Sequence, residues 1–175
     1  MLMSDVGIVR RMDELGRIVI PKELRRSLRL REGDEMEIFP EGELIVIRKH
    51  MRLNGFAEAV EGVVRALADS TGCGAIAVCA DCVIAAAGRH CRLLSGKRVS
   101  EKFAAVIAAR KPVSFPAGQS VEIVEGESRD CGCAVRAVVQ AGDVIGAVAL
   151  LGEEADGRAE LLSFAASALS SLGEA

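Results

Sequence analysis

Short alternating runs open the chain. Gly7-Ile8-Val9-Arg10-Arg11 predicts an extended strand, Asp13-Glu14-Leu15-Gly16 a turn, and Arg17-Ile18-Val19-Ile20 the returning strand. Pro21 fits the first position of a helix, where its missing N–H costs nothing. Leu24 and Leu28 lie four apart on one face, with Arg25, Arg26 and Arg29 off it, so a helix of about two turns follows. Gly33-Asp34 turns the chain again. Met36 and Ile38 alternate with Glu35 and Glu37, Pro40-Glu41-Gly42 makes a second hairpin turn, and Leu44-Ile45-Val46-Ile47 closes it. Two hairpins and one short helix make a unit of about 45 residues, a size at which a lone core is marginal. A second copy is expected to complete that core, which makes the unit an obligate dimer.

The pattern changes after a polar linker, Lys49-His50-Met51-Arg52. Asn54 is placed to cap a helix running to about Ser70, with Phe56, Val60, Val63 and Leu67 stepping by four, three and four, the seam of a paired helix. Asp156 is placed to cap a C-terminal helix in which Leu161, Ala165, Ala168 and Leu172 repeat those steps. Between them lie β-type runs at Ala75–Cys79, Cys82–Ala87, Val121–Val124, Ala134–Val139 and Val144–Leu151. Ser100 is placed to cap a third helix through Phe103, Val106 and Ile107 that ends before Pro112. The expected organisation is a mainly β domain at 1–52 and an α+β domain at 53–175 that senses a ligand or holds copies together through its seam helices.

Charge sharpens the division. The net charge of −3 does not mark a nucleic-acid binder, yet it averages over opposite blocks. Ile8 to Arg31 holds eight bases against three acids, Glu32 to Ile47 six acids and no base, and the chain after Arg52 eleven bases and fifteen acids. Local fields steer ligands, so the basic block outweighs the total. With neither Trp nor Tyr to stack bases, single-stranded nucleic acid is disfavoured. The start of the chain lacks the apolar core of a signal peptide and no run is long enough to span a bilayer. The expected location is therefore the cytoplasm, on the nucleoid, with the six cysteines reduced and no membrane partner.

The run from Gly7 to Arg26, continued by Leu30-Arg31-Glu32-Gly33-Asp34 and Glu37-Ile38, resembles the AbrB family of bacterial transition-state regulators, which has a swapped-hairpin fold. Turn, proline and arginine pairs all fall in register over roughly the first fifty residues. Cys82-Val83-Ile84-Ala85-Ala86-Ala87-Gly88 and Gly142-Asp143-Val144-Ile145-Gly146-Ala147-Val148 resemble the second half of regulators of the stage V sporulation protein T type, a GAF-type domain. The resemblance implies a mainly β, AbrB-like swapped-hairpin N-terminal domain followed by an α+β, GAF-like C-terminal domain. It implies two chains interleaving their hairpins on double-stranded DNA, and a tetramer as a dimer of such dimers. The family's DNA-contacting arginines fall at Arg10, Arg17, Arg25 and Arg26. Arg11 fits beside them as a further phosphate contact, and Lys22 carries less weight. The competing structural reading makes these arginines solvated charges paired with Asp13, Glu14 and Glu23.

The second half offers other chemistry to weigh. Cys79-x-x-Cys82 and Cys131-x-Cys133 have chelating spacing and His90 adjoins Cys91, as a zinc, iron–sulfur or redox site would need. Against this, cysteine is a small core residue and no second CxxC stands at zinc-ribbon spacing. Neither metal nor cofactor is expected. A small ligand in a GAF-like pocket walled by Val83–Ala87 and Arg89–Ser95 is an alternative to pure oligomerisation. No catalytic residue is expected either: Gly-rich phosphate loops and HExxH are missing, and a Cys91 or Cys131 nucleophile with His90 rests on adjacency alone. AbrB-like hairpins also occur in antitoxins, whose disordered toxin-binding tails differ from this apolar, patterned second half.

Overall fold

The computed structural model describes residues 7–50, 52–79, 81–89 and 91–172, with the backbone alone at position 54. The chain divides into two units, Met1–His50 and Met51–Ala175.

In the first unit, α1 (Lys22–Ser27) precedes one antiparallel hairpin, β1 (Met36–Glu41) and β2 (Leu44–Lys49), registered from Met36 opposite Lys49 to Glu41 opposite Leu44. Pro40 stands inside β1 opposite Ile45 rather than in the turn, which passes to the left-handed Gly42 (φ +61). A two-stranded ribbon has an open edge where a missing N–H needs no partner. Pro21 is the N-cap of α1, one place before the expected first helical position. The helix ends when Arg29 N donates to Arg26 O at 3.1 Å and Leu30 N to Arg25 O at 2.8 Å. Arg29 takes the left-handed conformation (φ +52) that glycine usually fills there.

The strands expected at Gly7–Arg11 and Arg17–Ile20 are not formed. Among the described residues these segments run without a ladder, closed by two backbone–backbone bonds, Asp13 N to Arg17 O and Gly16 N to Asp13 O, each 3.0 Å. The physical reason lies in packing. An isolated two-stranded ribbon with nothing under it is marginal in water. Pro21 is the one buried residue described between 7 and 50, while Val9, Leu15 and Val19 are 87%, 75% and 75% exposed.

The second unit holds itself together. Its five-stranded antiparallel sheet has the order β4-β3-β9-β8-β5, built from β3 (Gly74–Cys79), β4 (Cys82–Ala87), β5 (Val113–Phe115), β8 (Cys133–Gln140) and β9 (Asp143–Leu151). β3 and, from Val144 onward, β9 are apolar because layers cover both faces of the sheet. On one face α2 (Ala57–Thr71) and α4 (Ala159–Ser170) set Val60, Val64, Leu67, Leu162 and Leu169 in one cluster with Ala77, Val148 and Leu150. On the other, α3 (Glu101–Ala108) and the hairpin β6 (Val121–Val124)–β7 (Glu127–Arg129) set Phe103, Ile107 and Ile123 with Ile76, Val78 and Ala147. This α+β sandwich is the fold class expected. The short strands β5 and β7 carry no apolar alternation long enough to have been foreseen.

The cap at Ser100 forms as expected: its Oγ accepts from Phe103 N at 3.0 Å and donates to Glu122 O at 2.5 Å, tying α3 to β6. The other two caps do not. Asn54 falls inside a 3-10 turn, Arg52–Phe56, and Phe56 holds the N-cap of α2. Asp156 likewise opens a 3-10 turn, and Arg158 holds the N-cap of α4. Each expected seam coincides with the buried face only in part, at Val60 and Leu67 in α2 and at Ala165 in α4. α2 buries Val60, Val64, Leu67 and Ala68, and α4 buries Leu162, Ala165, Ala166 and Leu169. A helix lying on a sheet buries a wider stripe than the narrow seam of a coiled coil. Phe164, at 74% exposed, stays outside it.

Two glycines separate close packing from helix propensity. A Cβ at Gly146 in β9 would stand 2.4 Å from Val78 O, while one at Gly62 in α2 would meet nothing within 4 Å. Gly146→Ala is expected to cost about 1–3 kcal/mol, and Gly62→Ala to add about 0.5–1 kcal/mol. Urea denaturation of both variants checks this, and equal midpoints would contradict it.

Candidate nucleic-acid interface

Asp13 organises the first turn. Its Oδ1 accepts from Leu15 N at 3.0 Å and Arg17 N at 2.8 Å, and its Oδ2 accepts from Arg17 Nε at 2.6 Å. A short carboxylate that bonds backbone N–H groups further on is how Asp holds such turns. Gly16 supplies the left-handed residue (φ +75) that lets the chain reverse. The Arg17 backbone N–H, then its guanidinium, hold the Asp13 carboxyl below its ordinary range. Arg17 is fixed at its root, yet its side chain is 71% exposed.

The other expected contacts lie on two further exposed segments. Arg10 and Arg11 are on the extended run before the turn, and Arg10 Nη1 donates only to the neighbouring Val9 O, at 3.3 Å. Arg25 and Arg26 form the last turn of α1, where a cation also suits the helix dipole. Among the described residues Arg10, Arg11, Arg25 and Arg26 make no ion pair, so of the five only Arg17 has taken the acidic partner the competing reading proposes. Guanidinium groups are donors without acceptors, in a fork that matches phosphate or a guanine edge.

The acidic second hairpin is partly neutralised from within. Glu37 accepts from Arg48 Nε at 2.5 Å and meets His50 Nδ1 at 2.6 Å; these two partners hold its carboxyl below the usual range. Asp34 pairs with Lys49 Nζ at 3.0 Å and accepts from Arg31 N at 2.8 Å. The Arg48 guanidinium lies over the Phe39 ring, 5.0 Å from its centre. Sequence reasoning missed the Asp13 clamp and this pairing. The signal for the clamp was legible, because Asp three residues before Gly is a turn-forming pattern. The cross-strand pairs needed the β1–β2 register.

The second unit has a cavity of about 1010 Å3 lined by Cys73, Arg89, Cys91, Arg129, Cys131 and Glu153 among others. Among the described residues of the expected pocket walls, only Arg89 and Cys91 line it; Val83, Ala85 and Leu94 are spent in the core. Burial pushes Cys91 up to about 11 and Cys133 up to about 12, and raises Cys131, with the Arg129 charge opposing the shift at Cys91 and Cys131. These are protonated, sluggish thiols. His90 lies outside the described residues. Among the described residues no group of three or more His, Cys, Asp or Glu is arranged to hold a metal ion.

Known proteins share both units. The profile for stage V sporulation protein T C-terminal, transcription factor, matches residues 53–171, and that for antidote-toxin recognition MazE, bacterial antitoxin, matches residues 9–53. Stage V sporulation protein T of Bacillus subtilis (strain 168) is 36% identical over 155 residues, spanning 87% of this chain and 86% of that protein. The chain belongs to the stage V sporulation protein T family. Transition state regulatory protein AbrB of the same organism is 52% identical over 50 residues, 29% of this chain and 52% of that protein. Among solved structures, the blue-light absorbing form of the Thermosynechococcus elongatus PixJ GAF domain is similar over 71% of this chain and 90% of that one, at 15% identity and a TM-score of 0.47. The family match therefore reaches into both units, and Arg10 to Arg31 lie inside residues 9–53, the stretch that matches the antitoxin profile.

Because the Asp13 carboxyl titrates below its ordinary value of 3.8, the turn's ion-pair contribution is fully present above that pH and is lost as pH falls through the lower folded value. In an NMR titration the Asp13 carboxyl and the Arg17 Nε–H should move together with a midpoint below 3.8. A midpoint at or above that value, or an unchanged step in Asp13→Asn, would contradict the clamp.

Proposed function

We propose that this member of the stage V sporulation protein T family is a transcription regulator that grips duplex DNA as a dimer through residues 1–52. In this reading Arg10, Arg11, Arg17, Arg25 and Arg26 meet the DNA, and residues 53–175 assemble dimers further or take a ligand. One observation carries it: the first unit lacks a core of its own while displaying exposed arginines. Ile8, Val9, Met12, Leu15, Ile18 and Val19 stand exposed on segments with strand character and no ladder. Burying six such side chains against a second copy would recover on the order of 10 kcal/mol per chain before ordering entropy is counted. Pairing the 7–12 and 17–20 segments with their counterparts would satisfy the missing ladder, as in the swapped hairpins of the AbrB fold.

The relatives' names support regulation, and the chemistry supports DNA as partner. Duplex DNA is a dense line of phosphates, and a dimer doubles the guanidinium groups it meets. No described helix is long and apolar enough to cross a membrane.

An antitoxin is the second reading, favoured by the match of residues 9–53 to an antitoxin profile. Such proteins hold a toxin through a tail that orders on binding. Here residues 53–171 match a transcription-factor profile instead and build a packed sandwich. A toxin that co-purifies with the chain would favour this second reading.

Alanine at Arg10, Arg17 and Arg25 should each weaken retardation of duplex DNA, and each lost phosphate contact should flatten the salt dependence of binding by about 0.9 in log–log slope. Unchanged retardation by all three removes the assignment. Residues 1–52 alone should sediment as a dimer; a stable monomer would end the proposed architecture.

A further inference from the structure

The ladder registers of the second unit place Cys79 and Cys82 opposite each other at the end of the β3–β4 hairpin, with two residues between them. Opposed residues in an antiparallel ladder hold their Cα atoms about 4.5–5.5 Å apart. A disulfide spans roughly 4.4–6.8 Å between Cα atoms. The backbone is therefore already in place for a bond that is not made, since all six cysteines are thiols. No other cysteine pair stands opposite in a described ladder: Cys133 faces Leu151 in β9 and Phe115 in β5.

The two thiols differ in a useful way. Cys82 is half-buried and open to a small reagent, while Cys79 is 1% exposed and its Sγ donates to Ile145 O of β9 at 3.4 Å. Forming the disulfide requires the Cys79 sulfur to leave its Ile145 O contact. Two thiolates are half of a closed four-ligand zinc set. Among the described residues no third His, Cys, Asp or Glu joins them in a metal-holding group. A dithiol in this arrangement is suited to thiol–disulfide exchange rather than to chelation.

We propose that Cys79 and Cys82 are a reversible redox modification site whose co-substrate is a low-molecular-weight disulfide such as oxidised glutathione. The Cys82 thiolate attacks one sulfur of the small disulfide, forming a mixed disulfide and releasing one small thiolate. Cys79 then gives its proton to solvent and attacks the Cys82 sulfur. The mixed disulfide breaks and the second small thiolate leaves. The protein loses two electrons and two protons, and one small disulfide becomes two small thiols. The Cys91, Cys131 and Cys133 group is the poorer candidate, because no two of its members stand opposite each other in a described ladder.

The full chain, equilibrated with mixtures of reduced and oxidised glutathione, acid-quenched and alkylated, tests the site by mass spectrometry. As oxidised glutathione rises, two of the six thiols should escape alkylation, and the tryptic peptide Ala66–Arg89 should appear lighter by two hydrogens. That peptide also holds Cys73, so the Cys73→Ser variant must keep the product. Cys82→Ser should stop at unmodified thiol, whereas Cys79→Ser should accumulate the mixed disulfide on Cys82. Full alkylation of Cys79 and Cys82 in the wild type at every glutathione ratio, or oxidation mapped to Cys91, Cys131 or Cys133 instead, overturns the proposal.

Discussion

The first unit presents an apolar surface that its described residues leave uncovered. Its turn is well made, held by Asp13 and Gly16, and its helix is closed by a left-handed Arg29. Local geometry is thus satisfied while tertiary burial is not. Ile18 at 49%, Leu24 at 40% and Ile47 at 44% exposed are where a core would be. Turns and helix ends are decided by neighbours in sequence, whereas a ladder and a core need partners from elsewhere. The contrast argues for assembly as the step that completes the unit.

The second unit has the opposite balance. Its sheet is covered twice, and the two apolar clusters share the central strands β3 and β9. The cost of that closeness is seen at glycines. Gly74 has no Cβ because the Cys91 sulfur would stand 2.1 Å from it, and Gly146 lets β9 lie against β3. Filling of this kind leaves little room on the α3 face for a ligand among Val83, Leu94 and Phe103, all nearly or fully buried. The open space lies at the sheet's end instead, between the start of β3 and the loop after β9.

What the amino-acid pattern disclosed follows the range of the forces involved. The helices, β1 with β2, the five longer strands of the second unit and the Ser100 cap come from periodicity and local hydrogen bonding. Caps at Asn54 and Asp156 failed as readings because a 3-10 turn intervenes before each helix. The seam assignments held only in part, because three-and-four spacing in α2 fits two adjacent stripes, and only the sheet decides that Val64 goes in while Phe56 stays 37% exposed. For the basic segment, charge and the AbrB resemblance located the arginines. The turn-forming Asp13 was legible as well, and the coordinates add that its second carboxylate oxygen holds the Arg17 guanidinium.

Charge and burial in the first unit bear on one another. Guanidinium groups on a half-formed hairpin would be held loosely, and loosely held donors lose more side-chain freedom on meeting phosphate. A second copy that completes the ladder would fix the backbone beneath Arg10 and Arg11 before DNA arrives. Arg17 already shows such fixing on a small scale, since Asp13 restrains it through both its backbone and its side chain. The same carboxylate competes with phosphate for the guanidinium, so an exposed pair worth little in water is one that DNA can displace at small cost. Anything that binds only the assembled form stabilises that assembly by mass action, so on the proposed function DNA binding and dimer formation would be two readings of one equilibrium.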